Sequence, residues 1–170
     1  MERGGANVNA DRTDYGTTAL MFASLDGHLE IVRYLVKRGG VNVNAARTTD
    51  GQTALLWACE KGHLEIVRCL VERGSANVRI ADTSGFDSLI LASSFGHLEV
   101  VRFLLQNGAL VNTARGTCGK TSLMFASSKG HVATVRLLLE YGALKHLVCH
   151  AGLNASVFGD SHPLVLAALA

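Results

Sequence analysis

Seven histidines and four cysteines are the side chains of this chain best suited to metal binding or proton transfer. Four of the histidines, His28, His63, His97 and His131, each follow a glycine and recur every 34 or 35 residues. A period of that size sets equivalent residues one repeat apart along a stack, roughly 8–10 Å by helix-packing distances, too far to share an ion. These four are expected to hydrogen-bond at a helix turn. His146, Cys149 and His150 have ligand types suited to zinc, but no second half-site of known spacing accompanies them. Ser93, Ser94, Ser127 and Ser128 sit at repeated helix ends, and no Gly-x-Ser-x-Gly elbow occurs. Gly116-x-x-Gly119-Lys120 is too short for a phosphate loop. No catalytic residue, metal site or cofactor is assigned, and the chain is expected not to be an enzyme.

The elements that carry these residues repeat with them. Gly27-His28-Leu29-Glu30-Ile31-Val32-Arg33 returns as Gly62 to Arg68, as Gly96 to Arg102 and, weakened, as Gly130 to Arg136. Each copy lies between two short helical patterns. The first pattern reads Thr18-Ala19-Leu20-Met21-Phe22-Ala23 and recurs from Thr53, Asp87 and Thr121, residues that can cap a helix start. The second carries Glu30 early and Lys37 and Arg38 late, as the helix macrodipole favours. Its apolar residues cover more than one stripe, so it expects neighbours on both sides. Helices this short do not persist alone in water and must be held by stacking. Trp57 occupies a slot shared with Phe22, Leu91 and Phe125 and is read as core. The column Arg33, Arg68, Arg102 and Arg136 reads as a solvated face, partly neutralised by Glu30, Glu65 and Glu99.

The units are placed at 13–47, 48–81, 82–115 and 116–149, in one array spanning 1–170. Residues 1–12 match the tail of a unit whose helices are absent, since Arg3 to Ala10 repeats in Arg38 to Ala45. Residues 150–170 form a partial, irregular repeat, in which His162 to Ala168 reads as another first helix with Pro163 in its first turn. The Gly- and Asn-rich segments after each second helix are expected to be turns or hairpins. Two ragged ends suggest a fragment, a truncated product or a module completed by something else. The apolar last helix suggests end-to-end self-association.

Composition narrows the class. A net charge of +2 over 170 residues, with no basic block, gives no indication of nucleic-acid binding. No signal-peptide pattern opens the chain, and no apolar run approaches a membrane span, so no membrane insertion is expected. Four cysteines without CxxC spacing suggest reduced thiols and a cytoplasmic, or nuclear, location.

The motifs together resemble the ankyrin repeat: a Gly-x-Thr-x-Leu-x-x-Ala start, a Gly-His-x-Glu-Ile/Val-Val middle and a Leu-x-x-x-Gly-Ala-x-Val-Asn-like end. The resemblance covers nearly the whole chain and implies an all-α ankyrin-repeat solenoid with projecting hairpin loops. The chain departs from the family at its Pro, replaced by Ala19, Ala54, Ser88 and Ser122 and returning only as Pro163. It departs again at the following His, replaced by Met21, Leu56, Ile90, Met124 and Val165. Loss of that His implies more purely apolar packing between units. Three tails carry one extra residue near the Gly, which implies local irregularity.

The resemblance implies a protein-binding scaffold that meets its partner with a concave surface. The family's contact positions fall on Tyr15, Thr17, Leu25 and Asp26, then on Asp50, Gln52, Glu60 and Lys61. In the later units they fall on Ser84, Phe86, Ser94 and Phe95, then on Cys118, Lys120, Ser128 and Lys129. Tyr15, Phe86 and Phe95 stand out as aromatic anchors; the alternative for Phe86 and Phe95 is folding back onto the neighbouring unit. The other function class is a regulatory or targeting segment of a larger enzyme or channel.

Overall fold

Thr18, Thr53, Asp87 and Thr121 each begin a helix because their side-chain oxygens accept a main-chain N–H three residues on, from Met21, Leu56, Ile90 and Met124. The computed structural model of the chain describes residues 9, 11–12, 15–38, 40–116, 118–160 and 162–170. The capped helices are α1 (Ala19–Leu25), α3 (Ala54–Lys61), α5 (Ser88–Phe95) and α7 (Ser122–Ser128). Each is followed at once by a second helix: α2 (Leu29–Arg38), α4 (Leu64–Arg68), α6 (Leu98–Gln106) and α8 (Val132–Glu140). α9 (Ala155–Phe158) and α10 (Pro163–Leu169) complete the chain. Odd-numbered helices pack in one row and even-numbered helices in a second, each unit against the next. The result is the expected all-α solenoid.

The last pair corrects the sequence reading. α10 packs on α8, and α9 packs on α7. The segment from His162 is therefore a second helix, and the first is the single turn capped by Asn154, whose Oδ1 accepts from Ser156 and Val157. One turn is too short to show a helical period, which is why it reads as loop. Pro163 sits at the N-terminus of the second helix. Pro163 and Val165 therefore do not occupy the first-helix positions that the family pattern suggested.

Leu20, Leu55, Leu89 and Leu123 of the first helices and Val32, Val67, Val101 and Val135 of the second are buried and form one continuous core. The slot of Trp57 is not uniformly core: Trp57 and Leu91 are buried, Phe125 is half-buried and Phe22 is exposed. It lies at the edge of the first-helix row.

Short hairpins join the units. β1 (Asp11–Arg12) pairs antiparallel with β2 (Thr17–Thr18), and Ala46–Thr53, Ala81–Asp87 and Ala114–Thr121 form the equivalent bridges. An asparagine at each of three tails grips the next with both ends of its amide. Asn44 accepts from Asn77 N at 2.8 Å and donates to Ser75 O, and Asn112 does the same to Leu144 N and Gly142 O. Asn9 holds Asn42 N and Gly40 O in this way. In unit two Arg79 substitutes, donating from Nε to Gly108 O at 3.0 Å. The extra tail residue of that unit is absorbed in a π-helical turn, Cys69–Arg73, closed by Gly74 N on Cys69 O. Ser75 beyond it takes φ 55°, where unit one has Gly40 at φ 74°. The reading of residues 3–8 as a unit's tail, and the boundary at Thr13, lie outside the described residues.

Asp87 differs from the other three caps in carrying charge. Burial pushes its carboxyl up from the ordinary range, against the lowering effect of the Ile90 and Leu89 N–H groups. A carboxyl raised on folding binds its proton more tightly in the native state. Its contribution is complete below the unfolded value and is lost as pH rises through the folded one. Asp87→Thr keeps a cap and removes the charge. Urea midpoints of the two proteins should diverge in favour of the variant as pH rises from the ordinary carboxylate range to neutrality. Parallel curves would show that Asp87 titrates as in the unfolded chain.

Candidate functional site

The repeated histidines link units through the main chain. His63 Nε2 lies 3.2 Å from Leu25 O, His97 Nε2 lies 2.9 Å from Glu60 O, and His131 Nε2 lies 3.0 Å from Ser94 O. Each ring reaches back to the end of the preceding first helix and rests against the preceding Gly: His63 on Gly27, His97 on Gly62, His131 on Gly96. His162 rests in the same way on Gly130, which identifies it as the fifth member of the series. The sequence reading placed these bonds at the helix turn, and the structure shows that they cross between units. They end on carbonyl oxygens, which are neither nucleophiles nor proton donors, so these three rings are structural ties.

That lock fixes the ends of α1, α3 and α5, and a groove runs beside them. Gln52, Glu60, Phe86, Ser94, Phe95, Lys120, Ser128 and Lys129 all line one open groove of about 550 Å³, together with Asp82, Leu91 and Phe125. Glu60 ion-pairs with Lys61 at 2.9 Å on one side, and Lys120 and Lys129 lie on the other. Gln52 donates to the Asp82 carboxylate at 2.8 Å, and its buried amide oxygen has no hydrogen-bond partner among the described residues.

The aromatic positions resolve differently. Phe95 is 52 % exposed, its ring stacked near His97 with centroids 6.3 Å apart. Phe86 folds onto the next unit, 5.6 Å from the Phe125 ring and covered by the Arg115 guanidinium at 3.9 Å. Lys120 extends this ladder, 5.9 Å from Phe125 and 4.4 Å from Phe158. Tyr15 is exposed on the first hairpin.

The remaining sequence-derived positions lie outside the groove. Thr17 is buried in β2. Leu25 is half-buried and serves through its carbonyl, Asp26 and Lys61 are exposed, and Ser84 and Cys118 are half-buried near hairpin tips. Asp50 is ion-paired to Arg47 at 3.0 Å, and its carbonyl accepts from Thr83 N of the next unit. Asp82 was missed as a groove residue, although its signal was present. An Asp three residues before a Gly folds into an Asx turn, here accepting from Ser84 N and Phe86 N.

The groove offers one exposed aromatic face, two lysines and an acid, groups that can hold a chain by apolar contact and charge. Among the described residues no three His, Cys, Asp or Glu side chains gather at metal-binding distance. Cys59, Cys69 and Cys149 are buried and unpaired. Burial, and next the Asp87 charge, push the Cys59 thiol far above its ordinary value, so it stays a thiol. No described helix is long and apolar enough to cross a membrane.

Family comparisons agree with this geometry. The family of Ankyrin repeats (3 copies) matches residues 40–115 and 76–149, and Ankyrin repeats (many copies) matches residues 3–54. No curated protein matches the chain. Ankyrin repeats are generally protein–protein interaction modules and are typically non-enzymatic. The matches take in most of the chain, and the stacked helix pairs tied by Gly–His contacts are their structural counterpart: the chain belongs to the ankyrin-repeat family.

Proposed function

We propose that this chain is a scaffold that holds a partner protein in the groove beside its first helices. One observation supports the reading: eight of the sixteen contact positions taken from the sequence converge on that single groove. Phe95 supplies apolar area at its rim, and Lys120 and Lys129 favour an acidic group on the partner. Buried, unpaired thiols at Cys59, Cys69 and Cys149 support a reducing compartment such as the cytoplasm or nucleus.

The test is quantitative capture of partners from cells by wild type and by a Tyr15→Ala/Phe95→Ala/Lys129→Glu variant. Hot-spot side chains contribute about 2 kcal/mol or more, so recovery of true partners should fall at least about 30-fold. Equal recovery by both proteins counts against the groove. A second activity, end-to-end self-association through α10, is supported by Leu166, exposed at a position buried in every other unit.

A further inference from the structure

Two sets of side chains meet wherever one unit stacks on the next. The set facing backward includes Ile66, Val100 and Thr134, and with them Cys69, Phe103 and Leu137. None of these is more than 5 % exposed. Their direction is fixed by Arg68, whose guanidinium lies 5.2 Å over the Phe103 ring of the following unit. The same two positions in unit one are Ile31 and Tyr34, 50 % and 57 % exposed. The set facing forward holds Val32, Val67, Val101 and Val135 at 0 % exposure, and Met21, Leu56, Ile90 and Met124 at 1 % or less. In unit five these positions are Leu166 and Val157, 37 % and 45 % exposed.

We infer that the chain associates head to tail with a second copy of itself, the Ile31–Tyr34 face of one copy covering the Val157–Leu166 face of another. This rests on the end-to-end reading and adds the surface that receives α10. The two open faces are the two halves of an interface the molecule already makes at each internal step, so a second copy supplies what each lacks. Charge agrees: α2 ends in Lys37 and Arg38, whereas residues 151–170 contain Asp160 and no lysine or arginine. Such a contact is heterologous and does not close on itself, so growth passes beyond the dimer.

Sedimentation velocity of the full chain, from about 10 µM to about 1 mM, tests this in the range where a weak contact of this kind populates. Wild type should rise with concentration past twice the monomer mass. Ile31→Glu and Leu166→Glu change exposed positions, so each should keep the wild-type circular dichroism and stay monomeric alone. Mixed in equal amounts, they should form a dimer and stop there, because each variant retains one intact face. If wild type is monomeric throughout, both this pairing and the end-to-end reading fail. If Ile31→Glu still dimerises while Leu166→Glu does not, copies meet through α10 alone; the head-to-tail pairing is then overturned and the end-to-end reading stands. Association of both variants as in wild type removes both ideas.

Discussion

Truncating Leu104 to Ala is expected to lower the unfolding free energy by about 3–5 kcal/mol, while Leu35→Ala, at the same position of unit one, should cost under about 2 kcal/mol. Leu104 has 0 % exposure, as do Leu70 and Leu138 at its position, and α6 packs between α4 and α8. Removing its isopropyl group leaves a cavity in the core of a helix that has neighbours on both sides. Leu35 is only partly buried, so much of its space can fill with water or collapse. Stability in a stack is carried by interfaces between neighbours, and a central loss weakens two of them at once. Against a total of about 5–15 kcal/mol for an ordinary domain, the central truncation is a large fraction. Urea denaturation followed by helical circular dichroism measures both. Equal losses at Leu35 and Leu104 would mean that burial does not grade along the stack as the structure shows.

The features legible in the sequence are those that repeat. Gly-His at a fixed period, a capping residue ahead of Leu20 and its equivalents, and charge-ordered second helices were enough for the solenoid, because each unit is too short to fold alone. The fifth unit lost that signal in two ways. Its first helix shrank to Ala155–Phe158, and its Gly-His became a Ser-His ending at His162. With no repeat to set the phase, α10 took the place of the missing first helix in the sequence reading. Only its packing on α8 assigns it. The asparagine clamps were invisible for a related reason. Asn44 and Asn112 are visible as tail residues, but their partners lie about thirty residues on and are main-chain atoms, which leave no sequence pattern.

The groove was legible by position and less so by side chain. Family register placed Gln52, Glu60, Ser94, Phe95, Lys120, Ser128 and Lys129 along one surface, and they line it. Phe86 shows the limit. Whether an aromatic ring stands free or folds back depends on what surrounds it in space, here the Arg115 guanidinium from the end of its own unit and the Phe125 ring of the next. Thr17 is buried in β2, which its place in the family register does not reveal.

Gly96→Ala tests the tie between units most directly, and it should cost about 2–4 kcal/mol. Two independent penalties combine there. Gly96 has φ 74°, where an L-residue with a Cβ loses roughly 1–2 kcal/mol. An added Cβ would also lie 2.6 Å from His131 Nδ1 and 2.7 Å from its Cε1, inside contact distance. The ring cannot yield freely, because its Nε2 is held 3.0 Å from Ser94 O. Gly142 separates the two effects: it has φ 84°, but no described residue lies within 4 Å of the place a Cβ would take, so Gly142→Ala should show the backbone penalty alone. A double-mutant cycle gives the remainder. His131→Ala removes the ring and forfeits its hydrogen bond, about 1 kcal/mol. Combined with Gly96→Ala it should cost at least about 1 kcal/mol less than the two single changes added together, since the clash has no second partner. Strict additivity would mean that ring and glycine do not touch in solution, and the Gly–His lock would lose its role as the joint on which the groove is aligned.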